Sequence, residues 1–196
     1  MSSNLFPNSY INKQTKLLKL NQHNLTVWLT GLSGSGKSTI AKLLEQALFD
    51  NYFLAAVLDG DNLRTGLCSD LSFTEADRTE NVRRTAETAN ILLNNGFIVI
   101  VALISPLASM RELAKTIIGA ENFVEIFIDA PLSVCADRDV KGLYKKAQNM
   151  QIDNFTAVSQ PYQTPVAPFL VLNTVENSPQ ASADYLYQKL LPFVKI

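Results

Sequence analysis

The sequence predicts an α/β fold, a parallel sheet with helices on its faces, and three observations carry that reading. Short apolar, β-branched runs alternate with segments of helical periodicity along most of the chain. One of these runs, Phe97 to Leu103, is apolar throughout, as a central parallel strand covered on both faces must be. Between the first run and the first helical segment lies Gly31-Leu32-Ser33-Gly34-Ser35-Gly36-Lys37-Ser38. It fits G-x-x-x-x-G-K-[ST], the phosphate-binding loop (P-loop) that joins strand to helix in nucleoside triphosphatases and kinases.

The first strand is Thr26-Val27-Trp28-Leu29-Thr30, and behind the loop Ile40, Leu43, Leu44, Ala47 and Leu48 recur at helical spacing. The glycines let the backbone curl around an anion with its amide hydrogens inward, Lys37 can reach the outer phosphates, and Ser38 is placed to ligate magnesium. The alternative, a flexible turn before an ordinary helix, is disfavoured because both flanks fit. A second strand, Leu54 to Leu58, ends at Asp59-Gly60-Asp61, acidic at a strand C-terminus, where open α/β sheets bind ligands. Thr74-Glu75-Ala76-Asp77 reads as a capping box, opening a helix whose apolar face is Val82, Ala86, Ala89 and Leu93 and which Asn94-Asn95-Gly96 stops. The third strand delivers Ser105-Pro106 to the same sheet edge. A helix near Ser109 to Ile118, a strand Val124 to Ile128 closing on Asp129, and a helix with Pro131 in its first turn follow. From about residue 140 to 168 the alternation yields to a polar, proline-punctuated stretch with Lys141, Lys145 and Lys146, which reads as a lid. Phe169 to Leu172 and a terminal helix, Ala181 to Leu191, resume the pattern.

The 196 residues suit one domain, read as 25–196 behind an N-terminal arm, 1–24, that is polar, carries Lys13, Lys16 and Lys19, and is expected to be loose or to dock on the domain or a partner. A chain of this size buries roughly 70% of its unfolded surface, enough for a core without staples. Seventeen basic against eighteen acidic residues leave no bulk electrostatic footprint for nucleic acid or an anionic membrane. No stretch is long enough to cross a bilayer, and the arm lacks an apolar signal core. The two cysteines, Cys68 and Cys135, have neither disulfide-scaffold nor zinc spacing, so they read as small packers in a reducing, cytoplasmic setting. The single histidine, His23, lies in the arm, which disfavours a Ser-His-Asp triad and leaves Asp or Glu as any general base.

Phosphoryl transfer to a small acceptor needs a triphosphate cradle, a metal, a group that orients or deprotonates the acceptor hydroxyl, and cations for the equatorial charge. Asp59 and Asp61 can place one carboxylate near the metal and the other near the acceptor; the structural alternative is that Asp61 or Asn62 caps the next helix. Arg64, Arg78 and Asn81 form an anion-binding set, Arg78 and Asn81 lying one turn apart on one helix face. Arg83 and Arg84 read instead as a solvated face paired with Glu75, Glu80 and Glu87. Phe73 admits two readings, a hydrophobic staple or a surface on which a base stacks. Lys141, in the lid, can close over phosphates. No Asn-Lys-x-Asp run is present to read guanine, which favours ATP.

Taken in order, the loop Gly31 to Ser38, Leu58-Asp59-Gly60-Asp61-Asn62-Leu63-Arg64, Asp77-Arg78-Thr79-Glu80-Asn81-Val82-Arg83-Arg84, Ile104-Ser105-Pro106, Lys141-Gly142-Leu143-Tyr144-Lys145-Lys146-Ala147 and Asn154-Phe155-Thr156 resemble the adenylylsulfate kinase family. The likeness runs from about Thr26 to the terminal helix and separates the chain from shikimate, gluconate and adenylate kinases, which share the loop. It implies a P-loop kinase fold with a parallel five-stranded sheet, a homodimer, and magnesium-ATP-dependent phosphorylation of the 3′-hydroxyl of adenosine 5′-phosphosulfate (APS) in sulfate assimilation, giving PAPS. By matching position, Gly31, Leu32, Ser33, Gly34, Ser35, Gly36, Lys37, Ser38 and Thr39 would hold ATP, and Ser38 and Asp59 the metal. Asp59, Asp61, Lys37 and Ser105 would form the catalytic set. Asp61, Arg64, Arg78, Asn81, Ile104, Ser105, Lys141 and Leu143 would surround APS, with Phe73 and Phe155 sandwiching its adenine. Ser105 matches a serine often described as a phosphoserine intermediate, although in-line transfer between two bound substrates needs only positioning and electrostatics.

The chain departs from the family pattern in two places. Leu103-Ile104-Ser105-Pro106-Leu107-Ala108 stands for F-I-S-P-Y-R, and in the lid Gln148, Met150, Asp153, Ala157, Ser159 and Gln163 replace characteristic residues, Gln163 standing for the glutamate of P-Y-E. These changes keep open a kinase for another nucleotide-like acceptor, or a weakly active nucleotide-binding regulatory homologue.

Overall fold

The computed structural model describes residues 10–139, 142–149, 156 and 160–196. Strands β1 (Thr26–Thr30), β2 (Ala55–Asp59), β3 (Ile98–Ala102), β4 (Phe123–Asp129) and β5 (Leu170–Asn173) pair in parallel in the order β2-β3-β1-β4-β5. From β1 the chain steps outward to β2, returns to β3, then crosses β1 to reach β4. Connections therefore leave the C-terminal ends of the neighbours β1 and β3 in opposite directions, which opens a crevice between them.

Helices α2 (Lys37–Asp50) and α8 (Pro179–Val194) cover one face of the sheet, and α4 (Glu75–Leu93) and α5 (Ala108–Ile118) the other. Val27 and Leu29 of β1 enter the first core and Trp28 the second, while Ile98, Ile100 and Ala102 of β3 face the first and Val99 and Val101 the second. With both faces apolar, period-two alternation disappears from the sequence, and the central strands read as continuous hydrophobic runs.

Of the two expectations for the arm, its described part, residues 10–24, meets the second: it docks on the domain. From Lys13 to Leu20 it forms a helix, α1, started by Asn12, whose side chain accepts from the Thr15 N–H at 2.9 Å, and ended by Asn21 at a left-handed φ of 52°. Leu17 and Leu20 lie against Gly96, Lys16 Nζ donates to Asn95 Oδ1 at 2.6 Å, and the buried Gln22 side chain ties the backbones of Leu54 and Gly96 together. Three lysines mask this one-sided leucine stripe in the composition. Within the lid, residues 143–148 form a further short helix where none was expected, because Asp139 upstream accepts from the Tyr144 and Lys145 N–H groups at 3.0 and 3.1 Å and satisfies its first turn. Residues 132–138 form a helix that begins one position later than the proline signal suggested, with Pro131 as its N-cap.

Candidate active site

The phosphate loop leaves β1 and enters α2 through Gly36, with Lys37 Nζ turned back to donate to the carbonyls of Gly31 and Leu32 at 2.9 and 2.7 Å. A side chain at Gly34, whose φ is +78°, would put its Cβ 2.8 Å from the Cys135 carbonyl oxygen, and one at Gly31 would come within 2.5 Å of the Ile128 carbonyl oxygen. The loop threads between the end of β4 and the helix following Pro131, a passage that admits only glycine.

Asp59 ends β2 with both carboxylate oxygens engaged. Oδ2 accepts from Ser38 Oγ at 2.6 Å, and Oδ1 accepts from the Asp61 N–H at 2.9 Å, making Asp59 the N-cap of α3 (Gly60–Arg64). The capping alternative assigned to Asp61 or Asn62 is thus corrected: Asp59 caps, because its position at the strand end aims its carboxylate back at the first-turn donors.

Helix α4 presents Arg78 and Asn81, two of the residues expected to bind the acceptor. Its Thr74 N-cap hydroxyl accepts from the Asp77 N–H at 3.2 Å and donates to Asp77 Oδ2 at 2.8 Å, and the hydroxyls of Ser72 and Thr74 hold the Asp77 carboxyl below its ordinary range. One turn further on, Arg78 and Asn81 are buried side by side. Phe73 is no apolar staple: the residue one turn into the helix is Arg78, and the half-exposed Phe73 ring carries the Arg64 guanidinium at 4.3 Å and that of Arg78 at 5.5 Å from its centroid. Arg64 Nη1 donates to the Leu71 and Ser72 carbonyls and Arg78 Nε to that of Phe73. Burial, and secondarily the Arg64 charge, pull Arg78 down to about 10, so it stays cationic at neutral pH but in a field that an anion would relieve. Asn81 Nδ2 is buried with no hydrogen-bond partner among the described residues. A buried donor left this way costs on the order of 1–3 kcal/mol, which a bound acceptor atom would remove. Arg83 and Arg84, by contrast, form the expected solvated pairs: Arg83 with Glu80 and Glu87, Arg84 with Glu80 and also Asp70.

Ser105 is buried with a left-handed φ of 37°. Its Oγ accepts from Trp28 Nε1 at 3.1 Å and donates to Thr30 Oγ1 at 3.1 Å, while Thr30 Oγ1 donates to the Ile104 carbonyl at 2.7 Å. These partners are neutral, and no carboxylate stands within hydrogen-bond reach of the hydroxyl among the described residues.

These elements surround one cavity of about 640 Å³, inside the usual range for small-ligand sites. Ser33, Gly34, Gly36, Lys37, Ser38 and Thr39 line one end. Asp59 and Asp61 stand at the middle, and Arg64, Phe73, Arg78, Asn81, Ile104 and Ser105 at the other, with Leu143 at the lid side. Gly31, Leu32 and Ser35 shape the loop from behind. Lys141 and Phe155 lie outside the described residues, as do Met150, Asp153, Ala157 and Ser159 of the lid. Sequence reasoning missed Arg138, Tyr144 and Thr174. Arg138 donates to Gly34 O and to Thr174 O and Oγ1, Thr174 Oγ1 donates to Ser35 O at 2.8 Å, and Tyr144 donates its hydroxyl to Ser33 O at 2.9 Å. Thr174 follows an apolar strand, as Asp59 does, so the strand-end rule would have flagged it; Arg138 and Tyr144 carried no local signal.

A parallel sheet in this order, with a glycine loop feeding a helix, a carboxylate on the loop serine and paired arginines across one cavity, defines a P-loop small-molecule kinase. The model of the adenylylsulphate kinase family matches residues 23–173. The adenylyl-sulfate kinase of Pseudomonas aeruginosa is 50% identical over 169 residues, 86% of each chain, and that of Bacteroides fragilis 45% identical over 195 residues, 98% of this chain and 96% of that one. The solved structure of the Mycobacterium tuberculosis APS kinase CysC in complex with AMPPNP and APS superposes with a TM-score of 0.83 at 46% identity, covering 86% of this chain and 98% of that one. The chain belongs to the adenylylsulfate kinase family.

Proposed function

We propose that the protein transfers the γ-phosphoryl group of ATP to the 3′-hydroxyl of APS, releasing PAPS and ADP. The observation that carries this reading is the Arg64, Phe73, Arg78 and Asn81 cluster, two guanidiniums on one aromatic ring beside an unsatisfied buried amide, facing the phosphate loop across a single cavity. It offers a phosphosulfate two cations and a fixed donor, and a purine an exposed ring face. At the other end the loop amides and Lys37 hold the triphosphate, so the two substrates meet in line and most of the catalysis is positioning and charge stabilisation.

Ser38 Oγ and Asp59 Oδ2, 2.6 Å apart at the loop, form an all-oxygen pair suited to magnesium. Magnesium bound there would neutralise charge on the outer phosphates. Since Asp59 Oδ2 is engaged by Ser38 and Oδ1 by the Asp61 N–H that it caps, the acceptor hydroxyl falls to Asp61, which lines the same cavity as Arg64 and Arg78. Ser105 acts as a positioning group, with its hydroxyl proton directed to Thr30. Lys141 and Phe155 would complete the closed site from the lid. We further propose a homodimer and a place in cytoplasmic sulfate assimilation, the two buried, free cysteines supporting a reducing compartment.

A coupled assay with ATP, magnesium and APS tests the reading: PAPS must form, and no PAPS above a Lys37→Ala control would overturn it. In the same assay Asp61→Asn should lower kcat by at least about 10²-fold with little change in the APS KM, as loss of a general base does. Near-normal turnover would return that role to Asp59. Competing acceptors at equal concentration separate APS from other nucleotide-like substrates.

A further inference from the structure

The loop from Ile104 to Ala108, which carries Ser105 to the acceptor end of the cavity, holds a non-glycine residue at φ 37°. Such a conformation persists only where its surroundings over-determine it. Part of that restraint comes from the rigid body of the fold: Trp28 and Thr30 of β1, and Arg111 of α5, whose Nη1 donates to the Ser105 carbonyl at 3.0 Å while Glu125 of β4 holds its Nε at 2.7 Å. The rest comes from the chain returning out of the lid. The Gln163 N–H donates to the Pro106 carbonyl at 2.8 Å, Gln163 Oε1 accepts from the Ala108 N–H at 2.8 Å, and the Tyr162 hydroxyl lies 3.0 Å from Thr30 Oγ1. Thr30 has one proton, already directed to the Ile104 carbonyl, so Tyr162 is the donor. The Tyr162 ring stacks on Phe127 of β4, 6.2 Å between centroids.

The Gln163 contact has a second meaning. Helix α5 starts after Leu107, whose side chain makes no capping hydrogen bond. First-turn N–H groups need acceptors, and leucine has none to offer. Gln163 supplies the acceptor from 55 positions away, capping the helix from the lid. Leu107, Ala108 and Gln163 are all departures from the family pattern, and two of them, far apart in sequence, meet in this one hydrogen bond.

We infer that Tyr162 and Gln163 are positioning residues that clamp the lid's C-terminal end to the acceptor loop, so that acceptor recognition, and not ATP binding, depends on that clamp. The inference rests on the kinase reading above. It takes its force from geometry: among the described residues, the hydrogen bonds of the pair fall on Thr30, Pro106 and Ala108 and the ring stacking on Phe127, none of them residues of the Gly31 to Ser38 loop.

Steady-state kinetics with each substrate varied in turn test it. Gln163→Ala and Tyr162→Phe should each raise the KM for APS roughly fivefold, the scale of one lost net hydrogen bond, while the KM for ATP stays within about twofold. Gln163→Glu, which keeps the side-chain acceptor, should restore the APS KM. Trp28 is the only tryptophan and its indole sits on Ser105, so its fluorescence should shift in Gln163→Ala and return in Gln163→Glu. Equal rises in both KM values, or an unchanged APS KM with unchanged Trp28 emission, would overturn the clamp. An unmodified protein that makes no PAPS would instead overturn the kinase reading, and the fluorescence of the two Gln163 variants would still decide whether the clamp exists.

Discussion

The two ends of the cavity are built by different means. The phosphate end is eight consecutive residues whose shape comes from backbone: left-handed glycines, a passage too narrow for a Cβ, and an ammonium folded back on two carbonyls. The acceptor end is gathered from α3, the start of α4 and the 104–106 segment, with β1 and the lid's return holding that segment from behind, and its working parts are side chains. A triphosphate is bound through charge and amide hydrogens that any P-loop protein can offer, so a local solution suffices. One particular acceptor must be told from others, which takes cations, a ring face and a directed amide converging from separate elements.

This contrast can be broken from either side. The largest effect should come from Gly34→Ala: one methyl, at a positive φ and 2.8 Å from a carbonyl oxygen, should distort the whole loop and reduce kcat/KM for ATP by at least roughly 10³-fold. Retention of tight nucleotide binding by calorimetry would show that the backbone is not the determinant. Next, Arg78→Ala should raise the APS requirement about 10²-fold and leave that for ATP nearly unchanged, since one charge-assisted site is lost from the acceptor end alone. Equal effects on both substrates would dissolve the division.

The smallest effect sharpens what is not part of the site. Hydrogen bonds from Arg83, then Arg84, hold the partly exposed Glu80 carboxyl down to about 2. A depressed carboxylate stabilises the fold above its unfolded value near 4.5, and the contribution fades as the pH falls toward 2. Solvent screening keeps it under about 1 kcal/mol. Glu80→Gln should therefore lower Tm slightly at pH 7, lose that difference by about pH 2 to 3, and leave the APS KM unaltered. A changed APS KM would move these arginines into the acceptor site.

Much of the candidate site's cavity lining was legible in advance because its residues sit where local rules speak: a glycine motif between strand and helix, acids at a strand end, and polar residues one turn apart behind a capping box. Arg138 and Tyr144 escaped because their partners, phosphate-loop carbonyls more than a hundred positions away and, for Arg138, Thr174 as well, are remote in sequence, and no periodicity reports such a contact. The docked helix α1 escaped because lysines surround its two buried-side leucines.

The sequence by itself determined the parallel α/β architecture, the phosphate-binding end and the chemical types at the acceptor end, since burial periodicity and loop glycines act over a few residues. Only the tertiary structure decided that Asp59 rather than Asp61 caps α3, that Phe73 is a platform for two arginines, and that Gln163 closes the acceptor loop from the lid. Each of those depends on where a side chain's oxygen or charge finds its partner once the sheet has brought distant segments together, and that distance is absent from the order of residues.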